Sequence, residues 1–118
     1  MSTILIVDDD RTFSTLLKTV FELEGHQAVT ASDQAGVIPA ARQANPDLIL
    51  MDVHISDGDT LDVLQELRAD KTLKSIPIVM TSGMDRSAEC LAGGADKFVF
   101  KPFRPYKLLE IIGGLIQK

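Results

Sequence analysis

Residues 46–52 read Pro46-Asp47-Leu48-Ile49-Leu50-Met51-Asp52. A proline and an acid interrupt what precedes, four apolar residues follow without a break, and a carboxylate closes the run. A segment apolar at every position, rather than at every second, belongs to a strand buried on both faces. Other runs share that form, and each ends on a reactive group. Ile4-Leu5-Ile6-Val7 leads into Asp8-Asp9, Ile78-Val79-Met80 into Thr81-Ser82, and Phe98-Val99-Phe100 into Lys101-Pro102. As parallel strands, these runs bring carboxylates, a hydroxyl and an ammonium to one edge of a sheet. Such a set suits a divalent cation and a phosphoryl group.

Helical periodicity fills the intervals. After Thr3–Val7, Asp10 can cap a helix that lines up Phe13, Leu16, Leu17, Val20 and Leu23 and stops at Gly25. Gln27–Ala31 is a shorter strand, and Ser32 or Asp33 opens a second helix to about residue 44. Pro39 falls inside that helix, which predicts a kink, because proline removes a hydrogen bond and clashes with the preceding turn. Asp57-Gly58 makes a turn, and Asp59 caps a third helix carrying Leu61, Leu64, Leu67 and Arg68. Strands at 77–81 and 97–100 flank a weak helix at 86–92, and a last helix starts at Pro105 and reaches Gln117. Repeated βα units of this kind imply an α/β fold, a parallel sheet covered by helices on both faces. With strand order 2-1-3-4-5, the topological switch lies between strands 1 and 3, and ligands bind beyond their carboxyl ends. Asp8, Asp9 and Asp52 arrive there.

The bulk composition narrows the function classes. At 118 residues the chain has room for one core. A net charge of −5 without a basic cluster argues against direct nucleic-acid contact. Cys90 is the only cysteine, so no internal disulfide forms. The apolar stretch at 108–116 contains Glu110 and is too short to span a bilayer, and the N-terminal run lacks the basic flank of a signal peptide. A cytoplasmic location without membrane contact is the expectation. Clustered carboxylates repel one another unless a cation joins them, and a carboxylate can itself attack phosphorus. A metal, an ammonium and a hydroxyl then balance the charge on the transferred group. Asp10 reads as a helix cap, His26 as a solvated loop residue and Cys90 as a small core residue.

Taken in order, Ile6-Val7-Asp8-Asp9, residues 46–52, Ile76-Pro77-Ile78-Val79-Met80-Thr81-Ser82-Gly83, Gly94-Ala95-Asp96 and Lys101-Pro102-Phe103 resemble the receiver domain of two-component response regulators. The resemblance runs from Ile4 to the last helix and is to the chemotaxis-regulator-like single receiver. It implies a flavodoxin-like (βα)5 three-layer sandwich over residues 1–118. It also implies a signalling domain rather than an enzyme, one that promotes only its own phosphorylation and dephosphorylation. Asp52 is then the phosphoacceptor, served by a histidine kinase or phosphotransfer protein. Asp9, Asp52 and the backbone carbonyl of His54 ligate Mg²⁺ or Mn²⁺, with Asp8 acting through water or just outside the coordination sphere. Lys101 pairs with the phosphoryl oxygens, Ser82 bonds one of them on switching, and Phe98 takes the aromatic switch position. The output surface implied is the fourth helix, fifth strand and fifth helix, facing an output partner or a second copy of the chain. No output domain is expected within these residues.

Departures from the family pattern lie next to Asp52. Ser56 stands where proline is usual and Thr60 where glycine is usual, so a less rigid loop is expected. Phe98 has no hydroxyl, which leaves packing to couple it to Ser82. His54 and Met84 occupy positions that tune phosphoryl lifetime in the family. A rival reading starts from Asp8-x-Asp10-x-Thr12, which also resembles the first motif of haloacid dehalogenase-like phosphatases, with Asp8 as nucleophile and Asp10 as acid/base. That family needs an acidic metal-binding motif after the lysine, and residues 106–118 offer only Glu110. The last helix places Leu108, Ile111, Ile112 and Leu115 on a core stripe, with Leu109 and Ile116 at its margin. Gly113-Gly114 suggests a close backbone approach there.

Overall fold

The computed structural model describes residues 2–116. Thr3–Val7 (β1), Gln27–Ala31 (β2), Leu48–Asp52 (β3), Ile78–Ser82 (β6) and Lys97–Phe100 (β7) form one parallel sheet in the order β2-β1-β3-β6-β7. Counting only these strands, the order is 2-1-3-4-5. The remaining strands, His54–Ile55 (β4) and Gly58–Asp59 (β5), pair with each other as an antiparallel ribbon directly after β3.

Unbroken apolar runs are explained by two cores, one on each face of the sheet. Alternate residues along a strand point to opposite sides. Ile4 and Ile6 join Leu17 and Phe21 of α1 (Arg11–Leu23) and Leu108 and Ile112 of α5 (Pro105–Ile116). Leu5 and Val7 join the opposite core. It holds Val37 and Ala41 of α2 (Val37–Ala44), Val63, Leu64 and Leu67 of α3 (Leu61–Ala69), and Cys90 of α4 (Ser87–Ala92). The result is the three-layer, flavodoxin-like arrangement. Each fully buried Leu, Ile or Phe contributes about 1.5–3 kcal/mol relative to exposure. The all-apolar strand is therefore the element that fixes both layers of helices.

Pro39 does not kink a helix. The segment opens instead with a 3₁₀ turn at Gln34–Gly36, where Asp33 Oδ1 accepts from Gly36 N at 2.8 Å. The α-helix starts only at Val37, so Pro39 falls within its first turn, where no intrahelical N–H bond is lost. Asn45, in the left-handed conformation at φ 48°, closes α2 ahead of Pro46. The Lys101–Pro102 peptide is cis. At the other end, Leu108 and Ile112 are buried, and Leu109, Ile111, Leu115 and Ile116 pack against their core from its margin. A Cβ on Gly113 or Gly114 would meet nothing within 4 Å, so the close approach expected at these glycines is not made by the described residues. The end of the helix expected at Gln117 lies outside the described residues.

Arg68 holds the half of the molecule farthest from the carboxylates. From α3 its guanidinium donates to Gly94 O (2.8 Å), Lys74 O (3.0 Å), Ile76 O (2.7 Å) and Asp96 Oδ2 (2.8 Å). Asp96 Oδ2 in turn accepts from Ile78 N at 2.9 Å. One side chain thus satisfies carbonyls from the loops entering both β6 and β7. Arg68→Met, which keeps the stem and removes the donors, is expected to cost about 2–4 kcal/mol. Urea denaturation would read this as a lower midpoint at unchanged slope.

Candidate functional site

The strand register decides which side chains meet. Val7 pairs with Met51, so Asp8 and Asp52 leave the sheet side by side. Asp52 pairs with Thr81, and Ser82 with Phe100, which sets Lys101 one residue beyond the edge. Lys101 N donates to Ser82 O at 2.9 Å, and this bond aims the lysine back across the strand ends. Its Nζ donates to Asp8 Oδ2 at 2.9 Å and to Asp52 Oδ2 at 2.8 Å. The same ammonium sits 4.6 Å from the centroid of the Phe13 ring, and Phe13 meets Phe103 edge-on at 5.6 Å. Asp10, Phe13, Lys101, Pro102 and Phe103 line an open hollow of about 370 Å³ beside the carboxylates.

Asp8 is almost wholly buried, and its other oxygen, Oδ1, accepts from Asp10 N at 2.9 Å. Asp52 Oδ1 accepts only a long bond, 3.3 Å, from His54 N. Burial pushes the Asp52 carboxyl above the usual carboxylate range, and the neighbouring Asp8 charge adds to the rise against the pull of Lys101. Burial by itself would lower Lys101, but hydrogen bonds and charge from Asp52 and Asp8 outweigh it and hold the ammonium above the usual lysine range. The ammonium is satisfied twice, while Asp52 shares it with a competitor. Negative charge at Asp52 is left incompletely compensated.

Asp9 stands exposed at the rim. Ser82 is buried one residue past the partner of Asp52, and its Oγ accepts from Met84 N at 3.1 Å. Phe98 is half-buried, packs against the core that contains α3 and α4, and meets Phe100 edge-on at 5.2 Å. Asp10 is the cap of α1, its Oδ1 accepting from Phe13 N at 3.1 Å, so it is committed to the helix rather than to acid/base work. His26 differs from its reading as a solvated residue: among the described residues, nothing hydrogen-bonds its buried Nδ1.

The loop after Asp52 is tied down, contrary to the looser segment expected from Ser56 and Thr60. Thr60 is fully buried, its hydroxyl donates to Asp52 O at 2.8 Å, and its N–H donates to Val53 O at 2.8 Å. Gln34 N donates to Asp57 Oδ2 at 3.2 Å and Gln34 Nε2 to Asp57 O at 3.0 Å. Arg86 grips the other side through Asp59 Oδ2 at 2.7 Å. Thr60 was visible in the sequence only as a departure. Its hydroxyl does what the missing rigidity of a proline would do.

Among the described residues, no three Asp, Glu, His or Cys side chains gather as a metal cage. Mg²⁺ does not require one: it binds through one or two carboxylates and completes its octahedron with water and phosphate oxygens. Two adjacent carboxylates with incompletely compensated charge, a third at the rim and backbone carbonyls nearby fit that sparse mode. They do not fit a structural zinc site.

The comparisons agree with this geometry. The family model described as "Response regulator receiver domain" matches residues 4–113. The DNA-binding response regulator MtrA of Mycolicibacterium smegmatis is 35% identical over 98% of this chain and 50% of its own length. The chain thus spans about half the length of the curated relatives it matches. Chemotaxis response regulator CheY4 of Vibrio cholerae superposes with a TM-score of 0.90 at 25% identity, covering 98% of both chains. The receiver domain of sensor histidine kinase PA1611 from Pseudomonas aeruginosa, solved with a magnesium ion coordinated in its active site cleft, has the same fold. Its TM-score is 0.89 at 24% identity, over 99% of this chain and 98% of that one. The chain belongs to the response regulator receiver domain family, a signalling family of two-component systems, and the phosphatase alternative is not supported.

A carboxyl raised by burial contributes stability below its unfolded value, near 4, and loses it as pH rises through the folded value. At neutral pH the Asp52 charge therefore opposes folding. Asp52→Asn is expected to raise Tm at pH 7, with the gap to wild type closing as pH falls toward about 4. Thermal melts across that range by circular dichroism would measure it.

Proposed function

We propose that residues 1–118 form one cytoplasmic receiver domain in which Asp52 accepts a phosphoryl group from a histidine kinase or phosphotransfer protein. The observation that carries the proposal is the Lys101 ammonium held between Asp8 and Asp52 at 2.9 and 2.8 Å. A cation shared by two carboxylates is placed to move onto the oxygens of a group delivered to either. Asp52 is the better nucleophile of the two: it is less buried, and its Oδ1 has the weaker hydrogen bond. In the transfer, an Asp52 oxygen forms a bond to phosphorus while the bond to the donor breaks, and the donor leaves with the electron pair. Lys101 neutralises the new charge. Ser82, whose Oγ accepts from Met84 N, keeps its own proton and donates it to a phosphoryl oxygen. Asp9, Asp52 and the His54 backbone carbonyl would hold Mg²⁺, or Mn²⁺, with Asp8 acting through water. Bound there, the metal supplies a charge that offsets the carboxylates and the phosphoryl oxygens. In this reading the domain turns over no other substrate.

Incubation of the full chain with acetyl phosphate and Mg²⁺ is expected to add the mass of one phosphoryl group. The adduct is expected to be absent after chelation and in Asp52→Asn. An adduct that persists in Asp52→Asn overturns the assignment.

The output face of this reading is the surface of α4, β7 and α5. Leu91, Phe100 and Tyr106 stand exposed there, one on each element, and Phe98 lies under Phe100 as the packed switch residue. Exposed apolar side chains grouped in this way mark contact surfaces. The partner is a second copy of the chain or an output protein, and no direct nucleic-acid contact is assigned to this domain. Sedimentation with and without beryllofluoride is expected to show self-association on activation, weakened by Tyr106→Ala. A monomer under both conditions leaves the face to an output partner.

A further inference from the structure

Arg86 lies in the loop from β6 to α4, and its largely covered guanidinium reaches across to the ribbon after Asp52. One terminal nitrogen donates to Asp59 Oδ2 at 2.7 Å and to Glu89 Oε2 at 3.2 Å. The Nε–H donates to Glu89, and the other terminal nitrogen lies 3.3 Å from His54 Nε2. A guanidinium has donors and no acceptor, so His54 Nε2 supplies the lone pair in this contact. His54 and Asp59 are register partners in the ribbon. Arg86 therefore grips both members of one cross-strand pair, and that pair begins two residues past Asp52, where His54 N meets Asp52 Oδ1.

Resting on the phosphoacceptor reading above, we propose that Arg86 is a positioning residue that prolongs the life of the phosphoryl group on Asp52 by occupying the Nε2 lone pair of His54. Loss of that group is hydrolysis. A water oxygen bonds to phosphorus, the bond from phosphorus to the Asp52 oxygen breaks with its electron pair returning to the carboxylate, and both water hydrogens leave on the phosphate. Water attacks faster when a neighbouring acceptor holds one of its hydrogens and points its oxygen at phosphorus. Of the two side chains that follow Asp52 and Ser82 by two residues, the His54 ring is an acceptor and the Met84 thioether is a poor one. While Arg86 donates to Nε2, the ring cannot serve that water. Released, it can.

The test uses the full chain loaded with acetyl phosphate and Mg²⁺, freed of donor, with the adduct followed by intact mass. Arg86→Met is expected to lose the phosphoryl group at least about threefold faster than wild type. Arg86→Lys keeps a charge near Asp59 and Glu89 but lacks the second arm that reaches His54, so it is expected to show the same acceleration with stability retained. In a His54→Phe background, where the ring acceptor is gone, adding Arg86→Met is expected to leave the decay unchanged. An unaltered decay rate in folded Arg86→Lys overturns the inference, as does an equal acceleration with Phe at position 54. Wild type that forms no adduct removes the phosphoacceptor reading and this inference together. A normal adduct with unmoved decay removes this inference alone.

Discussion

The Lys101 ammonium is the interaction on which the edge of the sheet depends. Two carboxylates leave neighbouring strands at the same height, and without a cation their repulsion and desolvation would oppose the register that brings them there. Removing an ion from water costs several kcal/mol even after relaxation. Attraction between unit charges about 4 Å apart returns only ~4 kcal/mol at an effective dielectric near 20. One ammonium therefore cannot fully compensate two carboxylates. The raised Asp52 carboxyl records the shortfall. Such a site is poorly optimised for stability and well suited to accept a further cation together with a phosphoryl group.

The rest of the fold supplies what that edge lacks. Strands buried on both faces hold the carboxyl ends of β1, β3 and β6 at fixed heights, and the Arg68 network secures the opposite end through four carbonyl and carboxylate acceptors. Around Asp52 itself the backbone is tied by a buried hydroxyl rather than by a ring. Thr60 bonds the carbonyl of Asp52 directly, so the pitch of the strand end is set from beneath. The loop keeps its geometry while Ser56 stays free of the constraint a proline would impose.

Much of this was legible in the sequence because parallel strands advertise themselves. Runs apolar at every position mark double burial, and residues that close such runs must share an edge. The strands and the shared edge of Asp8, Asp52, Ser82 and Lys101 follow from that pattern, while the order of the sheet came with the resemblance to receiver domains. Pro39 misled because a proline inside a periodic segment reads as a kink, whereas a 3₁₀ turn before Val37 moved it into a first turn that tolerates it. The ribbon at 54–59 carries no alternation that would separate it from a plain turn. Thr60 and Arg86 were opaque for a different reason. Their roles depend on backbone carbonyls and on a partner 32 residues away (His54 for Arg86), and neither leaves a local signature.

On the proposed reading, the groups that would meet a phosphoryl group are also the first residues of the segments leading to the helices. Ser82 ends β6 and opens the loop into α4, while Lys101 directly follows β7 and opens the loop into α5. A hydroxyl that accepts from Met84 N keeps its own proton to donate, so Ser82 Oγ would tie a phosphoryl group to the backbone two residues on, beside Arg86. Arg86 joins that same loop to the ribbon at Asp59 and His54. The loop before α4 is thus held from two sides, by a hydroxyl that phosphorylation recruits and by a guanidinium that it does not. A shift of the first against the second changes the start of α4 without any long path through the core. The exposed apolar face of α4, β7 and α5 includes Phe100, the residue directly before Lys101.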